Sequence, residues 1–284
     1  MKLGLVLEGG ASRGYFSVGV MDALMEENIW ADYVIGASAG IANGVSYVSR
    51  QKGRSLKIGM DYLPTKQYMG KRHLLDPKNR CLYNLKYVFD EIPNHLLPFD
   101  YDAYAPHADQ TVAVLTDMRT GKACYQKVPA DDRTWQTLIA SCALPLLFQP
   151  VKLNGGLYMD GGIVDPVPAE RALQDGCDRL IVVLTRERSY IKQEEKALEL
   201  AALRYHHYPA FAAALRNRTA AYNENHAAVF ELEREGRAFL IAPQNTAHWH
   251  RTESDPEQLR QMYQQGYEET MAQMTALRAY LTQI

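Results

Sequence analysis

Apolar positions along the chain change period in a way that alternates strands with helices. Leu3–Leu7 is an unbroken apolar run stopped by Glu8-Gly9-Gly10, the pattern of a strand buried on both faces. From Arg13 to Glu27 the spacing becomes helical. Phe16, Val20 and Leu24 form one stripe, and Val18, Met21 and Met25 widen it, so burial on more than one side is expected. Tyr33–Ile35 reads as a second strand ending at Gly36, and Ile41–Arg50 as a second helix. Strand–helix–strand–helix with short loops predicts a parallel sheet covered by helices.

Residues 51–105 break this rhythm with prolines and tyrosines, and are expected to cap the sheet rather than extend it. Thr111–Leu115 and Ala123–Lys127 flank Arg119-Thr120-Gly121 and predict a hairpin. Gly156–Met159 is a short strand leading into Asp160-Gly161-Gly162. Pro166-Val167-Pro168 suits a helix start, and Gly176 a helix stop. Leu180–Leu184 and Ala238–Ala242 are further buried strands, with residues 191–235 helical between them. The tail, with Leu259, Tyr263, Tyr267, Met271, Met274, Leu277 and Leu281 recurring every three or four residues, reads as one amphipathic helix.

Composition narrows the class without naming it. A chain of 284 residues with 47% hydrophobic content has enough apolar mass for a sizeable core. A formal charge of −2 gives no global attraction to nucleic acid, and none is expected as a partner. Charge is uneven, however: residues 50–80 hold nine Lys/Arg and two Asp/Glu, a local +7. The four cysteines form no C-x-x-C pair and no metal-ligand spacing, so neither a metal nor another cofactor is expected. The first apolar run is too short for a signal-peptide core, and no run approaches the ~18 residues of a membrane span. A cytoplasmic location is expected, with peripheral membrane contact through residues 50–80.

Three clusters carry chemistry. Gly36-Ala37-Ser38-Ala39-Gly40 matches G-x-S-x-G between a predicted strand and a predicted helix, the context in which a nucleophilic serine projects above a sheet. Gly36 and Gly40 leave the sharp turn room to close, and the start of the following helix favours developing negative charge. Gly9-Gly10-Ala11-Ser12-Arg13-Gly14 lies at the first strand–helix junction, where backbone N–H groups could hold a phosphate or an oxyanion. A dinucleotide loop would need glycine at Ala11 and an acidic residue after the second strand, and a Walker loop would need Gly-Lys-Ser/Thr. Neither pattern is present. Asp160-Gly161-Gly162 places a carboxylate at a strand end; in a parallel sheet all three clusters would share the carboxyl edge of the strands.

In this order the clusters resemble the patatin-like phospholipase family. The segments Ser141-Cys142-Ala143-Leu144-Pro145, on to Val151, and Asp160 to Pro168 also look like blocks of that family, so the resemblance covers about residues 3–185. It implies an α/β fold, three-layer αβα with a mainly parallel central sheet, and hydrolysis of a lipid or other acyl ester by a Ser–Asp dyad. Carried over, Ser38 is the nucleophile, Asp160 the general base, and the N–H groups around Gly9, Gly10 and Ala11 the oxyanion hole. Gly14, Gly36, Gly40, Gly161 and Gly162 support the motifs, and Arg13 is expected to hold the first loop in place. The family often has a third glycine where this chain has Ala11. The whole chain, 1–284, is read as one domain, with residues 186–284 a helical extension packed on the motif-bearing part.

An ordinary aspartate, with a pKa of about 3.9, is a weak base for a hydroxyl, so the site is expected to raise it by burial. Two other readings stay open at this level. One is an α/β-hydrolase triad using one of His206, His207, His226, His248 or His250, all of which follow Asp160; only 35 residues precede Gly36, fewer than that fold uses before its elbow. The other is a lipid-binding protein of the same fold without turnover.

Overall fold

The computed structural model describes residues 1–282. The chain begins with β1 (Leu3–Leu7), a 3-10 turn (Ala11–Arg13), α1 (Gly14–Glu26), β2 (Tyr33–Ala37) and α2 (Ala39–Val48). The irregular region holds α3 (Arg54–Lys57), a π-helical turn (Ile58–Tyr62), α4 (Arg72–Leu75), a longer π-helical segment (Tyr87–Leu96) and α5 (Tyr101–Tyr104). Next come β3 (Thr111–Asp117), β4 (Ala123–Lys127), α6 (Gln136–Ser141), β5 (Val151–Leu153), β6 (Gly156–Asp160), α7 (Ala169–Gln174) and β7 (Arg179–Val183). The last third supplies α8 (Lys196–Arg204), α9 (Pro209–Arg234), β8 (Ala238–Ile241), α10 (Pro256–Ala272) and α11 (Met274–Thr282).

The sheet runs β5-β6-β3-β2-β1-β7-β8, with β4 also on β3. Its β3-β2-β1-β7-β8 core is parallel, and β4, β5 and β6 join antiparallel. Period-two alternation sends Leu3, Leu5 and Leu7 into the layer of α1, α2, α10 and α11. Val6, Ile35 and Val182 face the opposite layer with Ala172 of α7 and Val229 of α9. The result is a three-layer αβα arrangement, in which central strands need to be apolar on both faces.

Every residue of α1 from Gly14 to Met25 is buried, because α10 covers the side that the sheet does not. The two helices meet almost backbone to backbone. A Cβ on Gly19 would lie 2.0 Å from the Tyr263 carbonyl oxygen, and one on Gly266 2.0 Å from that of Phe16. This contact explains two departures from the expected tail. The buried face of α10 is Leu259, Met262, Gly266 and Thr270 rather than the tyrosine stripe, and Gly266 sits where the backbones cross too closely for a side chain. The tail is also two helices, interrupted at Gln273. The break lets α11 turn to the sheet, where Tyr280 Oη donates to the Leu180 and Arg237 carbonyls.

One expectation about the sheet is corrected. β6 is not parallel, so Asp160 does not sit at the carboxyl edge of a parallel strand. Val114 of β3 pairs with Ala37 and Tyr125, and Leu115 pairs with Asp160 and Cys124. With β4 on one edge of β3 at both residues, β2 and β6 share the other edge. β6 takes over where β2 leaves the sheet and runs toward it head-on.

Candidate active site

Ser38 follows the last residue of β2 and precedes α2, at φ 53° and ψ −131°. A non-glycine residue at positive φ outside a helical basin is strained, and such strain persists only where the surroundings enforce it. Here β1 does so. A Cβ on Gly36 would come within 2.8 Å of the Leu7 carbonyl oxygen, and one on Gly40 within 2.6 Å, so both elbow glycines are dictated by the neighbouring backbone. The Ser38 N–H donates to Ser141 Oγ at 2.9 Å, and that hydroxyl donates to the Val114 carbonyl at 2.8 Å. Ser38 is 7% exposed.

Asp160 is reached from the same β3 register. Its N–H donates to the Ala143 carbonyl at 2.9 Å, and its own carbonyl accepts from Thr116 Oγ1 at 2.7 Å. Oδ1 accepts from the Gly162 N–H at 2.8 Å, whereas Oδ2 is buried with no hydrogen-bond partner among the described residues. Burial raises the Asp160 pKa; the positive charge of Arg218, the Ser38 hydroxyl and the Gly162 amide oppose the rise in that order. The hydroxyl therefore neighbours the carboxylate without a hydrogen bond to Oδ2. The two glycines have different tasks. A Cβ on Gly161 would meet the Val114 carbonyl oxygen at 2.1 Å, while one on Gly162 would meet only Asp160 Oδ1, at 3.1 Å, and Gly162 contributes its amide.

The first glycine loop packs against the elbow: a Cβ on Gly9 would lie 3.2 Å from Ser38 Cβ. Gly9 N–H donates weakly to the Pro166 carbonyl at 3.4 Å, and the Gly10 and Ala11 N–H groups have no acceptor among the described residues. Ala11 takes φ 49°, the conformation that a third glycine would adopt freely. Ser12 ties the loop down, through its N–H to the Arg251 carbonyl at 3.1 Å and its Oγ to that of Glu253 at 2.8 Å. The Arg13 side chain, 6% exposed, makes no hydrogen bond among the described residues. Gly14 starts α1, and a Cβ there would lie 3.4 Å from Ala39 Cβ of α2.

Two cavities meet at Ser38, and Ala11 and Leu144 also line both. The larger, about 150 Å³, is walled by Tyr15, Val45, Leu63, Tyr68, Leu138 and Phe148 among others. The smaller, about 40 Å³, holds Gly9, Gly10 and Asp160 together with several cationic side chains. None of the histidines lines either cavity. Of the apolar residues in segment 50–80, Ile58, Leu63 and Tyr68 reach the larger cavity, whereas Leu75 is 86% exposed.

Residues 5–173 match the profile of the patatin-like phospholipase family. The chain belongs to that family. In this patatin-like protein residues 208–282 match a second profile, described as a domain of unknown function (DUF6363). The chain is 30% identical over 202 residues to the uncharacterized protein YjjU of Escherichia coli, covering 65% of this chain and 52% of that one. It is 29% identical over 199 residues to the lysophospholipase NTE1 of Cryptococcus neoformans, covering 64% of this chain and 11% of that one. It thus spans about half the length of the first relative and about a tenth of the second. The crystal structure of VipD from Legionella pneumophila aligns with a TM-score of 0.52 at 16% identity, over 97% of this chain and 67% of that one, a likeness of fold.

The patatin-like site brings together Ser38, Asp160 and the Gly9–Ala11 loop. Sequence reading gave no role to Ser141, although it stands in a block that resembles the family. It also missed Arg186, Lys192, Arg218 and Arg251, which line the smaller cavity from the last hundred residues and have no local signal. Among the described residues, no group of His, Cys, Asp and Glu is placed to hold a metal ion.

Proposed function

We propose that the protein is a serine acyl hydrolase of lipid esters that works through a Ser38–Asp160 dyad. The observation that carries this reading is the register of β3, which sets the strained Ser38 elbow and the buried Asp160 carboxylate beside consecutive residues. Ser38 Oγ attacks the ester carbonyl carbon as its proton passes to Asp160 Oδ2, the oxygen without another partner. The oxyanion is held by the Gly10 and Ala11 N–H groups, with Gly9 beside them. The carbonyl re-forms, the alcohol leaves with the proton from Asp160, and Ser38 stays acylated. Water then attacks the acyl-enzyme, gives its proton to Asp160, and Ser38 recovers a proton as the acid departs. The acyl chain occupies the larger cavity. A carboxylate raised by burial is a stronger base than a solvated one, and the positive charge of Arg218 opposes that rise.

We read the whole chain as one domain, because β8 extends the sheet from β7 and α10 buries α1. A membrane contact through residues 50–80 is also part of the reading. Lys52 and Lys57 are exposed but paired with Glu26 and Asp61, and Arg54 is buried, so these three add little free positive charge to that face. Lys66, Lys71, Arg72 and Lys78 are exposed and without ion pairs among the described residues, and Leu75 protrudes among them. Among the described residues no helix is long and apolar enough to cross a membrane.

The deciding experiment is labelling with a fluorophosphonate probe. Labelling of the native protein that disappears in Ser38→Ala supports the activated serine. A folded native protein that binds lipid but neither labels nor turns over esters overturns the hydrolase reading in favour of lipid binding alone.

A further inference from the structure

The larger cavity is apolar along most of its wall, yet a cation reaches into it. Among the described residues that line it, Arg54 is the one charged side chain. Arg54 opens α3 and is 9% exposed. Its Nη2 donates to the Leu97 carbonyl at 3.0 Å, and its guanidinium lies over the Phe99 ring, 5.2 Å from the centroid. Its Nε is buried with no hydrogen-bond partner among the described residues. Burial lowers Arg54 to about 10, and the groups that oppose the fall are the phenols of Tyr101, Tyr62 and Tyr68 rather than a carboxylate.

Further donors surround the same space. Tyr15, Tyr68 and Tyr83 line the cavity, and their hydroxyls make no hydrogen bond among the described residues. Trp135 also lines it and meets Phe99 edge-on, with ring centroids 4.9 Å apart. Its indole N–H is buried, near the Tyr101 hydroxyl but outside hydrogen-bond geometry. A buried guanidinium and buried donors without acceptors are costly, and a ligand that brings a negative acceptor removes that cost.

The geometry of α2 places Arg54 away from the elbow. Ala39, Ala42 and Val45 carry the cavity wall along that helix from Ser38. Beyond them Ser55 Oγ donates to Ser46 Oγ at 3.0 Å, which brings the start of α3 back to the last turn of α2. Ser46 lies about 12 Å from Ser38 along the helix axis, at 1.5 Å per residue. The cavity thus begins at the nucleophile and ends at a cation.

We infer that this cavity takes acyl chains that end in a carboxylate, with Arg54 binding that end. The inference rests on the proposed hydrolase reading, in which the acyl chain occupies this cavity, and it names the acyl half of the substrate. An extended chain advances roughly 1.2 Å per bond, so about ten carbons span the distance from the Ser38 ester to the guanidinium. A guanidinium matches a carboxylate in geometry as well as charge, and the Tyr68 hydroxyl beside it adds a donor. A chain ending in methyl leaves the guanidinium buried and unpaired, so the site discriminates against it.

The test uses the full chain and two chromogenic esters that differ at the far end of the acyl chain: 4-nitrophenyl decanoate and the mono-4-nitrophenyl ester of decanedioic acid, each below its micellar concentration. The expected result is a kcat/KM at least about tenfold higher for the carboxylate-ended ester, carried mainly by KM. Arg54→Met keeps an apolar stem and loses the charge, and should bring the ratio below one; Arg54→Lys should restore part of it. Calorimetric titration of the Ser38→Ala protein with monomethyl decanedioate and with methyl decanoate reads the same preference without turnover, and serves if Arg54→Met fails to fold. Tighter binding of the carboxylate-ended ester with hydrolysis of neither by the native protein supports the pocket and sinks the hydrolase reading alone. Ser38-dependent turnover with an equal or higher kcat/KM for the decanoate overturns the inference and leaves the hydrolase reading standing. A carboxylate preference that survives Arg54→Met overturns it too, since another group then reads the chain end.

Discussion

Ser38 hangs from Ser141: its N–H donates to the Ser141 hydroxyl at 2.9 Å, and the same hydroxyl holds the Val114 carbonyl of β3 at 2.8 Å. Ser141 is fully buried, so neither group can turn to water instead. Ser141→Ala should therefore cost about 1–3 kcal/mol, the scale of buried polar groups left without a partner. It should also slow fluorophosphonate labelling of Ser38, since the elbow loses its tie to the sheet. An unchanged labelling rate in a destabilised protein would show that the tie serves folding alone.

Asp160→Asn separates chemistry from stability. As the general base, Asp160 should contribute roughly 10²–10⁴ in kcat. Its effect on folding has the opposite sign. A carboxyl whose folded pKa is raised favours the folded state while protonated, and that contribution is lost as pH rises through the raised pKa. Asn carries no such charge. The Tm difference, variant minus native, should grow as pH climbs above the ordinary carboxylate range. Thermal melts across pH, together with kinetics, check both halves; full activity in the variant removes Asp160 as the base.

The neighbouring glycines predict unequal outcomes. Gly161→Ala forces a Cβ into the Val114 carbonyl and should cost on the order of 1–3 kcal/mol or more while displacing Asp160. Gly162→Ala has only Asp160 Oδ1 nearby, at 3.1 Å, and keeps the amide that holds it, so folding should change little. Equal destabilisation of the two variants would contradict the β3–β6 geometry.

Histidine variants test the dyad against a triad. His226 is buried and stacked on Tyr222, and burial lowers its pKa, but it lines neither cavity. His226→Ala should lose stability through the vacated packing, and its kcat should stay within a few-fold of native. His206, His207, His248 and His250 variants should behave as native in kcat. A single histidine variant as inactive as Ser38→Ala would end the dyad reading.

The exposed Lys71, Arg72 and Lys78 around Leu75 predict binding to anionic vesicles that weakens with salt. A Lys71→Glu/Lys78→Glu variant should bind such vesicles markedly less, at about 1 kcal/mol per basic residue near the surface. Co-sedimentation at two ionic strengths decides it, and salt-independent binding would refute an electrostatic contact.

Local physics made the first half of the site legible. The β1 run, the α1 stripe and the G-x-S-x-G turn each follow from the order of neighbouring residues, because apolar period and turn sterics act over a few positions. Burial of Asp160 was also anticipated, since a carboxylate base needs it. Tertiary structure decided the rest. The direction of β6 depends on which edge of β3 is left open once β2 turns away at Ala37. Ser141 acquires its role only when α6 brings it under the elbow. Gly266 of α10 is read correctly only beside α1, where its crossing with Gly19 excludes a side chain. Arg186, Lys192, Arg218 and Arg251 lie far apart in sequence and converge only when β7, α9 and the segment before α10 pack around Ser38. Sequence fixes preferences over a turn or a strand, whereas long-range pairing and like charges forced into one cavity exist only after the chain has closed on itself.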